Sequence, residues 1–167
     1  SGIPFGEGLI KNRYIGRTFI QPGQSGRELA VRLKLNPLKE TIEGKRIVLI
    51  DDSVVRGTTI RKLVRRLKDN GAKEVHVRIG SPSVSYSCYF GINTPNRNRL
   101  IGALKTVEEI RTMIRADSLG YISMEGLIRA TTLAKEHFCT ACFSGDYPID
   151  VPAGGEQKVF ERLGGGE

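Results

Sequence analysis

Tryptophan is absent from this 167-residue chain, aromatic residues make up only 7%, and there are three cysteines. With so few rings, stacking platforms for single-stranded nucleic acid are scarce. No aromatic–basic signature of an RNA-recognition domain and no zinc-finger spacing occurs, so nucleic acid is not an expected partner. No apolar run approaches the length of a membrane span, so no membrane partner is expected either. The opening, Ser-Gly-Ile-Pro-Phe-Gly-Glu-Gly, lacks the charged and apolar regions of a signal peptide. A cytoplasmic protein is the expectation, and a disulfide is not expected there. No methionine begins the chain, which reads as starting in mid-domain. What is present is ordinary for a globular protein, with 39% hydrophobic and 26% charged residues. The length suits one domain, taken as residues 1–150, with 151–167 and its run of glycines as a tail. A net charge of +8 suits an anionic partner such as a phosphorylated substrate.

The densest information lies in residues 47–59. Ile47 to Ile50 read as a buried strand, two adjacent carboxylates (Asp51 and Asp52) follow, and then come Ser53 and Gly57-Thr58-Thr59. A helical pattern begins at Ile60. That order puts backbone N–H groups and a helix N-terminus around an anion. The carboxylates stand beside it, where a sugar diol or a hydrated cation can be held.

Around this motif the chain reads as an α/β domain. A short strand is expected near Gly8-Leu9-Ile10, then a long loop over 12–36, then a central strand over 46–50. Ile60, Leu63, Val64 and Leu67 recur at helical spacing, predicting an amphipathic helix over Thr59–Asn70 with Gly71 as its stop. Val75, Val77 and Ile79 alternate as a strand does. This strand–helix–strand unit implies a right-handed crossover and a parallel sheet. Further on, 80–99 reads as loop. Thr106–Ile114 reads as a helix opened by a Thr106/Glu109 capping box, Tyr121-Ile122 as a strand, and Met124–Glu136 as a helix with Leu127, Ile128 and Leu133 on its apolar face. The remainder from Phe138 reads as irregular.

Two more features carry chemistry. Lys11, Arg13, Arg17, Arg27, Arg32 and Lys34 crowd the long loop. They make either a solvated basic surface or a lid over a polyanion, since Arg grips phosphate oxygens bidentately and Lys acts as a point charge. Cys88, Cys139 and Cys142 include a C-x-x-C, which by itself leaves zinc (with His137 as a fourth ligand), iron–sulfur and redox chemistry open.

Residues 51–59 resemble the phosphoribosyl-pyrophosphate (PRPP) motif of type I phosphoribosyltransferases. The variant is close to that of the glutamine PRPP amidotransferases, Asp-Asp-Ser-(Ile/Val)-Val-Arg-Gly-Thr-Thr. Segments 11–22 and 31–36 are similar to that family's flexible loop, and 86–92 and 138–148 to the cluster-binding segments of its iron–sulfur class. The resemblance runs from Ile3 to about Ile149. It implies a type I phosphoribosyltransferase fold: a mostly parallel twisted sheet flanked by helices, with a lid loop and an irregular C-terminal tail. It also implies transfer of the phosphoribosyl group of PRPP to ammonia, giving 5-phosphoribosylamine and pyrophosphate at the start of purine biosynthesis.

Residue by residue, the resemblance assigns Asp51 and Asp52 to the ribose hydroxyls and a magnesium ion. Ser53, Val54, Val55, Arg56, Gly57, Thr58 and Thr59 line the 5′-phosphate loop. Lys34 contacts pyrophosphate, while Lys11 and Arg17 order the lid. Cys88, Cys139 and Cys142 supply three of the four thiolates of a structural [4Fe–4S] cluster, the fourth lying in an upstream segment absent here. The glutaminase domain, whose nucleophile is an N-terminal cysteine, is also absent, and this chain starts with Ser1, so no glutamine hydrolysis is expected. An unpaired sheet edge is expected where the upstream strand is missing. Purine nucleotides are the implied feedback inhibitors and a dimer or tetramer the implied assembly. The alternatives are a type I phosphoribosyltransferase acting on a base, a PRPP-sensing regulator, and a small metal-binding module. The cysteine segments speak against the first, the lack of a winged-helix domain against the second, and the strand–helix–strand core against the third.

Overall fold

Alternation of apolar and polar residues builds the sheet, and the period of the intervening segment builds the helix that covers it. The computed structural model describes residues 2–11, 35–92 and 94–151. In chain order the elements are β1 (Leu9–Lys11), β2 (Leu35–Pro37), α1 (Lys39–Ile42), β3 (Arg46–Asp51), α2 (Thr58–Asp69), β4 (Glu74–Ile79), α3 (Ile101–Leu104), α4 (Val107–Ile114), β5 (Ser118–Tyr121), α5 (Met124–Thr131) and α6 (Ala141–Ser144). Single 3₁₀ turns lie at Arg97–Arg99 and Lys135–His137.

β1 and β2 pair antiparallel, Leu9 opposite Pro37 and Lys11 opposite Leu35. β3, β4 and β5 form a parallel sheet in that order. Its register runs from Arg46 opposite Glu74 to Asp51 opposite Ile79, and from His76 opposite Ser118 to Ile79 opposite Tyr121. The expected parallel strand–helix–strand unit is therefore present. Val75, Val77 and Ile79 point one way and are almost wholly buried. Ile60, Leu63, Val64 and Leu67 of α2 and Ile110 and Ile114 of α4 close over that face. Asp117 stitches the far end of this layer. Its carboxylate accepts from the Val75 N–H at 2.6 Å and pairs with Lys68 of α2 at 3.1 Å. The Val75 N–H, the burial that opposes it and the Lys68 ammonium together leave the Asp117 carboxyl below the usual carboxylate range.

The expectation for β3 needs correcting in two ways. It lies at the edge of the described three-stranded sheet, not at its centre. It is also only half covered: Ile47 and Leu49 pack toward the helices, while Val48 is 37% and Ile50 76% exposed. The cause is the strand's period of two, which sends alternate side chains to opposite faces, and the described helices cover one face.

Helix boundaries mostly follow local chemistry. Thr106 and Glu109 form the anticipated capping box. Asn70 and Gly71 (φ +88°) end α2, with Gly71 N–H donating to the Lys68 carbonyl. α5 stops at Thr131, short of the expected Glu136, and Leu133 is 55% exposed. The reason lies in two threonines. Thr131 Oγ1 donates to the Ile128 carbonyl and accepts from the Leu133 N–H, and Thr132 turns left-handed, so side chains take over the bonds a continuing helix needs. The short helices α1, α3 and α6 are additions to the sequence-based reading.

Candidate functional site

β3 delivers Asp51 and Asp52 to its C-terminal end, the edge of an open parallel sheet where ligands of α/β folds bind. The Gly80 N–H donates to the Asp51 carbonyl at 2.9 Å, fixing that end against the end of β4. The Asp52 N–H donates to Asp51 Oδ1 at 3.1 Å, and the Ser53 hydroxyl donates to Asp52 Oδ1 at 3.0 Å. Burial pushes the Asp51 carboxyl above its ordinary pKa. The Asp52 N–H bond pulls against that rise, and the Asp52 charge adds to it. Among the described residues no cation is ion-paired with either carboxylate. The pair is therefore an electrostatically unrelieved site that a cation or sugar hydroxyls would stabilise.

The turn that follows is anchored from below. Val54 is 4% exposed and belongs to the hydrophobic core. The Val55 carbonyl accepts from the Ile101 N–H of α3 at 2.9 Å. Gly57 adopts φ +73°, and a Cβ there would lie 2.6 Å from Met113 Cε and 3.1 Å from Ile101 Cδ1. Glycine is favoured here: a side chain would strain the left-handed backbone and push the flexible Met113 methyl aside. Gly57 also serves as the N-cap of α2, and no side chain caps that helix and no acid occupies its first turn. The N–H groups of the first turn have no N-cap side chain from Gly57, and the exposed Thr58 and Thr59 stand beside them, a geometry that suits an anion.

The structure thus brings together Asp51, Asp52, Ser53, Val54, Val55, Arg56, Gly57, Thr58 and Thr59 as one strand–turn–helix unit. Arg17 and Lys34 lie outside the described residues. Lys11 ends β1, and its side chain is likewise outside what is described. Sequence reasoning missed Gly80, Ile101 and Met113, which support the turn. They carry no local signal, because each acts through a contact distant in the chain.

The three cysteines are drawn toward one another by the tail. The Ser85 and Tyr86 N–H groups both donate to the Cys142 carbonyl at 3.1 Å, and the Tyr147 hydroxyl donates to the Ser87 carbonyl at 2.7 Å. Tyr147 also stands edge-on to Tyr89, with ring centroids 5.3 Å apart. Burial raises the Cys142 thiol, and the neighbouring Cys88 and Cys139 push it the same way. At Cys88 burial is outweighed by the amides of Phe90, Ile92 and Gly91, and its pKa is lowered. All three are free thiols. Among the described residues no group of three or more His, Cys, Asp or Glu side chains is arranged to hold a metal ion, and His137 joins no such group.

Residues 2–79 match the phosphoribosyl transferase domain family. The chain is 58% identical over 91% of its length to an amidophosphoribosyltransferase of Synechocystis, and 55% identical over 92% to one of Methanothermobacter thermautotrophicus. It spans about a third of those relatives, 31% and 32%. A solved structure described as the allosteric regulatory enzyme of purine biosynthesis superposes with a TM-score of 0.80 at 46% identity, covering 94% of this chain and 35% of that one. The glutamine PRPP amidotransferase from Bacillus subtilis, solved with ADP and GMP, superposes with a TM-score of 0.77 at 49% identity, covering 89% and 34%. A parallel sheet with helices packed on it, and the solved structures it superposes on, define this chain as a type I phosphoribosyltransferase fold. Within that class the chain resembles, over about nine-tenths of its length, the amidophosphoribosyltransferases, of which it spans about a third.

Proposed function

We propose that this chain carries the phosphoribosyl-transfer site of an amidophosphoribosyltransferase, a pentosyl-transferring enzyme. In the whole protein, PRPP and ammonia drawn from glutamine by a glutaminase domain would give 5-phosphoribosylamine and pyrophosphate, the first committed step of purine biosynthesis. The observation that carries this reading is the 51–59 unit, in which two carboxylates with no cationic partner among the described residues adjoin a helix N-terminus whose N-cap is a glycine. The first half suits a ribose diol and the second a 5′-phosphate.

In the reaction a bond forms between the ammonia nitrogen and C1 of the ribose. The bond from C1 to the pyrophosphate oxygen breaks, and the nitrogen loses a proton. The sugar carbon is electron-poor in between, so positioning and electrostatics do most of the work. Asp51 and Asp52 hold the ribose hydroxyls. The amides and hydroxyls from Ser53 to Thr59, with Val54 and Val55 shaping the turn and Arg56 adding charge, hold the 5′-phosphate. Lys34 balances pyrophosphate, and Lys11 and Arg17 bring the basic segment over the ligand and exclude water.

The adjacent carboxylates of Asp51 and Asp52, with no ion-paired cation among the described residues, suit magnesium, which binds through one or two carboxylates together with substrate phosphates. Asp51 and Asp52 would hold it, and bound there it would offset the charge of the leaving pyrophosphate. A [4Fe–4S] cluster takes four thiolates, so Cys88, Cys139 and Cys142 do not make up its ligand set. No step is assigned to a cluster. Feedback by purine nucleotides is part of the proposal, supported by the Bacillus relative's ADP and GMP complex. So are a homodimer or tetramer and a cytoplasmic location. Among the described residues no helix is long and apolar enough to cross a membrane.

The test is a double substitution. Asp51→Asn with Asp52→Asn is expected to abolish PRPP binding in calorimetry, in the presence of magnesium, while far-ultraviolet circular dichroism stays unchanged. Retained affinity in the double variant would sink the assignment.

A further inference from the structure

Tyr121 ends β5, and its hydroxyl is buried with no hydrogen-bond partner among the described residues. Its surroundings are apolar, since the ring packs against the core that Val54, Ile79, Ile60 and Ile101 help to form. Burial pushes the phenol above its ordinary pKa, so at neutral pH the group is an intact donor. An unpaired buried hydroxyl carries a desolvation penalty, and native structures seldom keep one without cause.

The position of this orphan is informative. Asp51, Ile79 and Tyr121 stand in one row across the C-terminal edge of the sheet. The Gly80 N–H on the Asp51 carbonyl and the Ile122 N–H on the Ile79 carbonyl keep the strand ends level. Two interstrand spacings, about 10 Å, separate the Asp51 and Tyr121 backbones. Period-two alternation sends the side chains of that row to the helix-covered face. Val54, the buried residue of the phosphate turn, sits in the same core that Tyr121 packs against. The orphan donor therefore packs against the same core as the residue that anchors the turn.

We propose that Tyr121 is a positioning residue for the ligand-bound site: its hydroxyl donates to a backbone carbonyl of the 52–57 turn that comes into reach when the turn closes on PRPP. This rests on the reading of residues 51–59 as the PRPP site. In the free chain the hydroxyl is a burden, and in the complex it contributes a bond. Binding and stability should therefore respond to its removal with opposite signs, which a purely structural tyrosine would not do.

Tyr121→Phe in the full 167-residue chain separates the cases, with PRPP and magnesium titrated by calorimetry and thermal melting done without ligand. The expected result is PRPP affinity about fivefold to tenfold weaker, the range of one net hydrogen bond. The unliganded Tm should be equal or higher. PRPP should also produce a near-ultraviolet tyrosine difference spectrum in the unsubstituted chain that the variant lacks. Unchanged affinity in the variant, or a lowered unliganded Tm, overturns the proposal while leaving the PRPP site standing. Failure of the unsubstituted chain itself to bind PRPP removes the PRPP reading and this inference with it.

Discussion

Asp51 shows how a half-buried carboxylate opposes the fold that holds it. Burial and the Asp52 charge both favour its protonated form, against one stabilising bond from the Asp52 N–H. Its pKa is therefore higher folded than unfolded, so its contribution to stability is full at low pH and is lost as pH rises through the folded value. Asp51→Asn removes that loss. The variant is expected to melt higher than the parent near neutral pH, with the gap shrinking as the pH is lowered into the carboxylate range. Melting curves across pH check this, and a variant less stable at neutral pH would show that the carboxylate is structural. The same substitution is expected to destroy PRPP binding, the usual trade between stability and activity at a binding site.

At the scale of the element, the β3–turn–α2 unit is anchored at several points along its middle. Val54 is sunk in the core, the Val55 carbonyl is tied to α3, and Gly57 lies flat against Met113 and Ile101. Gly57→Ala is expected to cost more than about 1 kcal/mol of stability, from the left-handed backbone and the Met113 contact together. It should weaken PRPP binding as well, because the first turn of α2 is aimed by this glycine. Denaturant unfolding and calorimetry on one preparation test both effects, and a neutral result in both would show that the turn can relax. Much of this unit was legible in the sequence. The apolar run, the acidic pair, the small residues and the helical spacing that begins at Ile60 are all local signals. The turn's supports at Ile101 and Met113 were not legible, since nothing near them in the chain points to residue 57. The early stop of α5 escaped for a different reason. Periodicity extends through Leu133, but the hydroxyls of Thr131 and Thr132 compete for the backbone.

For the whole molecule, the uncovered side of the sheet matters most. Parallel sheets are normally covered on both faces, and here Ile50 is 76% exposed on an edge strand among the described residues. Such an edge invites pairing with another copy. The isolated chain is expected to self-associate with rising concentration, and Ile50→Lys to suppress this with little change in Tm. Light scattering decides, and a chain that stays monodisperse without the substitution would remove the concern. The tail is held by a different device. Backbone bonds from Ser85 and Tyr86 to Cys142, with the Tyr147 hydroxyl on Ser87, fasten residues 139–147 to 85–92.

Sequence alone determined the parts whose signal is local. These were the strand–helix–strand unit, the capping box at Thr106, the acidic pair beside a hydroxyl-rich turn, and through them the family resemblance. Only the tertiary structure decided which strand lies at the edge and which face of β3 is bare among the described residues, and which distant residues hold the turn. It alone left the Tyr121 hydroxyl buried without a partner among the described residues. The physical reason is range. Propensity, capping and alternation act over a few residues, whereas burial, desolvation and hydrogen-bond satisfaction depend on which distant segments the fold packs together.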